Sequence, residues 1–164
     1  MKEVMHPKAL KQMENLRSSW KLKWFFWTKL PSLYFWKVRL DYLDIERAAV
    51  SLPFIKNTQN PFQSIYFAAQ TGAAELSTGV LALIAIEGRG KVSMLVTEMK
   101  STFLKKATGR IVFHCNEGKA AFDCISKAIE TGEGQKLLMT SEGRNEDGEV
   151  VTRVHIEWSF KRKS

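Results

Sequence analysis

The sequence is poor in the residues that build metal and redox sites. It contains only two cysteines, Cys115 and Cys124, and they form no CxxC pair. This spacing excludes a zinc ribbon and a dithiol redox motif, so we expect free thiols in a reducing, cytoplasmic protein. The three histidines, His6, His114 and His155, lack the spacing of metal ligands. We therefore expect no bound metal.

Long apolar runs are also missing. The longest such run, Val80–Ile86, is far shorter than the ~20 residues that span a bilayer. The charged start, Met1–Pro7, is not followed by an apolar stretch, which argues against a secretory signal. The sequence therefore predicts no membrane-spanning segment.

Positive charge is concentrated in the first quarter of the chain. The formal net charge is +8, and residues 1–40 hold nine basic but only two acidic side chains. No recognised nucleic-acid motif accompanies these charges, so we expect no nucleic-acid partner.

The N-terminal residues combine this charge with a regular aromatic pattern. Large apolar residues recur there at spacings of three and four, which predicts one face of a helix. They are Met13, Leu16, Trp20, Trp24 and Trp27. We expect an aromatic and basic helical extension over residues 1–37, followed by one main domain over residues 38–164. Its tryptophans would either pack onto that domain or lie on an anionic membrane, with peripheral contact through residues 13–36.

The main domain predicts mixed secondary structure. Residues 38–53 alternate like two strands, and residues 60–86 at most form a long helix. Further strands are expected over residues 91–104, 110–115, 135–141 and 149–160, with a short helix over residues 118–130. The turn Asn145–Gly148 predicts a hairpin between the last two strands. Strands joined by short turns pair antiparallel, so the fold class is α+β.

The most informative segment is 57–79, where a polar loop opens a helix of mostly small residues. Small side chains allow another element to pack very close to this helix. One acid, Glu75, stands in the middle of it, and Asn60 stands in the loop. Burial of a carboxylate in such a place costs free energy, so we expect it to have an ion-pair or hydrogen-bond partner or a functional role.

This segment resembles the hotdog-fold thioesterase superfamily, in which a curved antiparallel sheet wraps around one long central helix. Asn60 and Glu75, fifteen residues apart, match the loop asparagine and helix carboxylate of the phenylacetate-pathway type. Segments 103–109 and 43–53 are similar to a strand-to-turn signature and an opening hairpin of these proteins. Thioesterases of the phenylacetate type carry His-Gly-Gly at the helix start, where this chain has Tyr66–Ala68. The chain therefore resembles an uncharacterised branch without that motif.

The resemblance implies a reaction and a set of site residues. It implies hydrolysis of an acyl thioester of coenzyme A or an acyl carrier protein, with no cofactor beyond the coenzyme A of the substrate. Glu75 would be the general base or nucleophile, and Asn60 would orient water or the carbonyl group. The substrate-binding positions would be Tyr66, Phe67, Ala68 and Gly72. The positions that contact the coenzyme A phosphates would be Lys105, Lys106, Arg89 and Arg110.

The resemblance also implies a homodimer or a dimer of dimers. Ala68, Gly72, Glu75 and Gly79 fall on one stripe of the helix, which would meet the partner subunit. A second hypothesis is a hotdog protein that binds acyl-CoA or another apolar ligand without turning it over. The replacement of His-Gly-Gly favours this alternative.

Overall fold

The computed structural model describes residues 6–163, so residues 1–5 of the predicted extension and Ser164 lie outside the described part of the chain. The helices are α1 (Pro7–Arg17), α2 (Ser19–Lys29), α3 (Pro31–Phe35), α4 (Phe67–Ile86) and α5 (Gly118–Thr131). The strands are β1 (Arg39–Leu43), β2 (Ala48–Leu52), β3 (Val92–Phe103), β4 (Ile111–Cys115), β5 (Gln135–Arg144) and β6 (Val150–Arg162).

The strands form one six-stranded antiparallel sheet in the order β1-β2-β4-β5-β6-β3. The longest pairings join β3 to β6 and β5 to β6. The hairpin predicted at Asn145–Gly148 joins β5 to β6, and Gly148 has the positive φ of 80° that such a turn favours. This sheet with its long helix confirms the predicted α+β fold class.

Helix α4 lies across the sheet and supplies the centre of the core. It contacts β2, β4, β5 and β6, and the face with Ala69, Ala73 and Val80 is fully buried. By length and composition α4 is the one helix within residues 6–163 that could cross a membrane, but most of it is enclosed by the fold. It begins at Phe67, later than the prediction of about residue 60.

Three buried side-chain hydrogen bonds connect α4 to the sheet. Gln70 accepts from the Thr152 hydroxyl. The hydroxyls of Ser77 and Ser141 lie 2.8 Å apart. The indole nitrogen of Trp158 donates to Thr78 Oγ1 at 2.9 Å. Buried polar groups must be paired, so these bonds set the rotation of a helix whose small apolar side chains constrain it weakly.

The N-terminal helices lie against the main domain, α1 through the predicted residues Met13 and Leu16 and α2 through a face different from the predicted one. Helix α1 contacts α4 and β1, and Arg17 Nε donates to the Leu43 carbonyl at 2.9 Å. Helix α2 restarts after Ser18 and buries Leu22 and Phe26.

The expectation that the N-terminal tryptophans pack onto the domain is wrong. Trp20, Trp24 and Trp27 are 69%, 66% and 55% exposed. The break at Ser18 separates α2 from α1, so the apolar face followed from Met13 and Leu16 does not continue along α2.

Candidate active site

The first turn of α4 offers unpaired backbone donors. Tyr66 precedes the helix without a side-chain cap, and its own amide donates to the Thr58 carbonyl at 2.7 Å. The amides of Phe67 and Ala68 donate to no acceptor within residues 6–163. Such amides, at the positive end of the helix dipole, attract a developing negative charge.

A groove of about 370 Å³ lies beside this helix start. It is formed by the loop before α4, the first turns of α4 and the segment after β3. Its lining includes four residues predicted for the site, namely Asn60, Phe67, Lys105 and Lys106, together with Ser64, Ile65, Gln70, Phe103, Leu104 and Ala107. The fold therefore brings the predicted loop asparagine and lysine turn together.

Within this groove the Asn60 side chain holds its own loop. Its Oδ1 accepts from the amides of Phe62 and Ser64 at 3.0 and 3.1 Å. Its Nδ2 donates to Ser64 Oγ at 3.0 Å. These contacts form an Asx turn. Asn60 therefore shapes the entry to α4.

The four predicted basic residues are not all near this groove. Lys105 pairs with Glu149 at 2.5 Å, while Lys106 is exposed and makes no ion pair within the described residues. Arg110 pairs with Asp41. Arg89 follows the far end of α4, where it donates to Ser126 Oγ at 2.6 Å. Within one chain only the two lysines join the groove.

Glu75 is half-buried, and its carboxylate makes no hydrogen bond or ion pair with any residue in the range 6–163. Burial raises the pKa of its carboxyl above the ordinary value of 4.5. A Cβ built on Gly79 would lie 3.4 Å from Glu75 Oε1 and 3.5 Å from Trp158 Cζ2. The carboxylate therefore lies beside Gly79, where the edge of the Trp158 ring also packs, in partly apolar surroundings that favour its neutral form.

Glu75 lies on the same face of α4 as the free amide of Ala68. Seven residues at about 1.5 Å each separate their Cα atoms by about 10.5 Å, and seven residues are close to two full turns. The Glu75 carboxylate reaches toward Gly79, one turn closer to the C-terminus, because its Oε1 lies 3.4 Å from a Cβ built on that residue. In this rotamer it points away from the amides at the helix start. Glu75 does not line the groove with Asn60; it lies farther along the helix.

Between Ala68 and Glu75 the stripe of small residues is covered by the chain's own N-terminal segment. A Cβ built on Gly72 would lie 3.0 Å from Trp36 Cζ3 and 3.5 Å from Leu33 Cδ2. Within one chain Gly72 therefore packs against Leu33 and Trp36, and contact of the stripe with a partner subunit stays a prediction. Glycine at this position leaves room for the indole. Trp36 therefore lies between the amides at the start of α4 and the Glu75 carboxylate.

The described residues contain no cluster of three or more His, Cys, Asp or Glu side chains able to hold a metal ion.

Comparison with known proteins assigns the fold and the family. An antiparallel sheet packed on one long helix that starts beside a polar loop is the hotdog arrangement, and solved proteins described as a probable thioesterase and as a thioesterase share it. The chain belongs to the family described as domain of unknown function DUF4442, which matches residues 18–160. No curated protein sequence matches the chain.

Three solved structures illustrate this likeness. A Pseudomonas aeruginosa protein described as a probable thioesterase has a TM-score of 0.75 at 20% identity, covering 89% of this chain and 97% of its own. A Chlorobaculum tepidum protein of unknown function gives 0.74 at 16% identity, covering 88% and 94%. A Haemophilus influenzae thioesterase gives 0.65 at 11% identity, covering 88% and 91%. At these identities the likeness shows the fold.

Sequence reasoning missed four residues that shape this site: Trp36, Gln70, Thr152 and Trp158. Gln70 lines the groove, and its side chain donates to the Ile65 carbonyl at 2.9 Å. A glutamine inside an otherwise apolar helix is a signal that could have identified it, because a buried amide needs partners. Trp36 and Trp158 reach α4 only through the tertiary fold.

Proposed function

We propose that the protein hydrolyses acyl thioesters of coenzyme A or of an acyl carrier protein, with Glu75 as the general base or nucleophile. The observation that carries this proposal is the half-buried Glu75 carboxylate. It has no partner within residues 6–163, and it shares a helix face with the free amide of Ala68. The fold, which solved thioesterases share, supports the same reaction.

In the proposed mechanism the thioester carbonyl oxygen lies at the amides of Phe67 and Ala68. When water attacks the carbonyl carbon, Glu75 takes one proton from it and the oxygen becomes an oxyanion that these N–H groups stabilise. The intermediate collapses, the carbon–sulfur bond breaks, and the proton passes from Glu75 to the leaving thiolate. The products are a carboxylic acid and a free thiol.

The Cα atoms of Ala68 and Glu75 are about 10.5 Å apart along α4, and Trp36 lies against Gly72 between them while the Glu75 carboxylate reaches toward Gly79. The proposed mechanism therefore requires two rearrangements when the thioester binds. The Glu75 side chain must take a rotamer that leans toward the N-terminus, and the Trp36 indole must move aside so that one water can lie between carboxylate and carbonyl carbon.

The groove beside the helix start suits the rest of the substrate. Phe67, Phe103 and Leu104 expose 56%, 46% and 50% of their surface there and offer contacts to an apolar acyl group. Lys106 and Lys105, on the turn after β3, would attract the phosphates of coenzyme A or the acidic surface of a carrier protein.

A homodimer, or a dimer of dimers, is part of this proposal. Strand β3 is twelve residues long and lies at the edge of the sheet. Leu95 and Met99 on this strand are 66% and 39% exposed. A long edge strand with exposed apolar residues can pair with another chain through its free backbone N–H and C=O groups. Strand β3 of a second copy could form these hydrogen bonds. Sedimentation of the intact chain would test this part.

The experiment is thiol release from short, medium, long and aromatic acyl-CoAs, by the wild type and by Glu75→Gln. We expect release that depends on acyl length and is lost in Glu75→Gln. Glu130→Gln, an exposed glutamate on α5, is the matched control and should retain the wild-type rate. Release that is unchanged in Glu75→Gln would contradict the role of Glu75.

A second candidate function is binding of acyl-CoA or another apolar ligand without turnover. It is favoured by the Asn60 side chain, whose oxygen and amide are both engaged in its own loop, and by the bulk of Tyr66 and Phe67 in place of glycines. Saturable ligand binding with no thiol release by the wild type would select this function.

A further inference from the structure

A continuous aromatic surface lies on α2 and α3, away from the candidate site. We define it by Trp20, Trp24, Trp27, Tyr34 and Phe35, which are 69%, 66%, 55%, 40% and 51% exposed. The rings of Trp27, Tyr34 and Phe35 form a cluster with centroids 5.1–6.0 Å apart. Exposed apolar patches of this kind mark interaction sites.

Helix α2 holds this surface in a fixed orientation. At about 100° per residue, Trp20, Trp24 and Trp27 lie within about 60° of one another around the helix. The buried residues Leu22 and Phe26 lie on the opposite side. The indoles therefore project outward while the other face of α2 is anchored in the core.

Lysines flank the tryptophans on both sides. Lys21 and Lys23 are exposed, and they lie about 90° and about 70° from the centre of the tryptophan stripe in opposite directions. Residues 15–40 contain six basic and no acidic side chains. The surface is thus aromatic at its centre and cationic at its margins.

We propose that the aromatic surface binds the face of a bilayer that contains anionic lipids. Tryptophan and tyrosine favour the membrane–water interface, and flanking lysines are attracted to anionic headgroups. A second copy of the same surface would bring like charges together. An acidic protein would complement the lysines but would not account for three exposed indoles on one stripe.

The aromatic surface is linked to the start of α4 by contacts of helix α3. Helix α3 exposes Tyr34 and Phe35. On its other side Leu33 lies against Gly72, as does Trp36, the residue that caps the C-terminus of α3. The Phe35 carbonyl also accepts from Asn57 in the loop before α4. The inference does not depend on hydrolysis, because binding to vesicles is measured without substrate.

The test is co-sedimentation of the full chain with vesicles, together with its tryptophan emission. One vesicle preparation is phosphatidylcholine alone and the other contains phosphatidylserine as well. We expect binding to the anionic vesicles with a shift of the emission to shorter wavelength, and much weaker binding to the neutral ones. Absence of binding to both preparations, or equal binding to both, would overturn the proposal.

Two double variants assign the binding to this surface. Trp20→Ser with Trp24→Ser should lower the partition coefficient at least about 100-fold, because two large apolar side chains no longer enter the interface. Lys21→Glu with Lys23→Glu should lower it at least about 25-fold, at roughly fivefold for each lysine.

Exposed residues elsewhere provide the controls. Leu138→Ser and Lys127→Glu change exposed side chains on β5 and α5, and they should leave binding unchanged. Urea unfolding of every variant verifies that the fold is retained. Vesicle binding that survives both double variants would overturn the proposal, as would a self-association of the wild type that only the tryptophan variant abolishes.

Discussion

Replacing Ser77 and Ser141 by alanine, singly and together, tests how α4 is fixed to the sheet. Both hydroxyls are fully buried, and they lie 2.8 Å apart. Ser77 Oγ also donates to the Ala74 carbonyl at 2.7 Å. Ser77 can therefore accept a hydrogen bond from the Ser141 hydroxyl while it donates one to the backbone.

This geometry predicts unequal costs for the two single variants. Ser77→Ala leaves the Ser141 hydroxyl buried without its partner and should cost about 2 kcal/mol of unfolding free energy. Ser141→Ala leaves Ser77 its backbone acceptor and should cost about 1 kcal/mol. The double variant should cost only about 1 kcal/mol, because two apolar groups then face each other. The coupling energy is therefore about 2 kcal/mol.

Urea unfolding at one fixed chain concentration measures these differences. With a slope of about 2 kcal/mol per molar, Ser77→Ala should shift the midpoint by about 1 M. The fixed concentration removes any contribution of self-association. Strictly additive single variants, or a Ser141→Ala cost equal to that of Ser77→Ala, would refute the reasoning.

Three further predictions concern stability and reactivity. Gly118→Ala places a Cβ 2.0 Å from the Ile45 carbonyl oxygen and should cost about 3 kcal/mol or more in urea unfolding, whereas Gly134→Ala, with open space around it, should change little. Burial raises the pKa of Glu75 above 4.5, so the wild type loses stability as pH rises from that value through the folded pKa. Glu75→Gln should therefore be more stable above this window by up to about 1 kcal/mol, and equal in stability below it; a constant difference at all pH values would contradict this. Burial raises the pKa of the Cys115 thiol to about 12, so at neutral pH Ellman's reagent should modify it only after unfolding, and rapid native reaction would argue against its burial.

Local sequence patterns predicted much of the fold. The turn Asn145–Gly148, the alternation along β6 and the long small-residue helix all follow from interactions between residues close in sequence. The start of α4 was predicted about seven residues too early. The hydrogen bonds of Asn60 keep residues 60–64 in a turn, and this arrangement competes with helix.

The candidate site was less accessible to sequence reasoning because its walls come from distant segments. Gln70 and Thr152 are 82 residues apart in the chain. A pattern of neighbouring residues cannot show that such a pair is in contact. Trp36 covers Gly72 only because α3 folds back on α4. The exposed stripe on α2 was misassigned since a periodic pattern does not show which helix face meets the domain.

The most direct test of the central claim is a single-turnover measurement with Glu75→Gln on the acyl-CoA that the wild type hydrolyses fastest. Ligand affinity is measured on the same preparation, so a folding defect is separated from a loss of chemistry. The proposed role of Glu75 predicts affinity within a few-fold of wild type and a hydrolysis rate lower by at least about 100-fold. A hydrolysis rate equal to that of the wild type at equal affinity would contradict it.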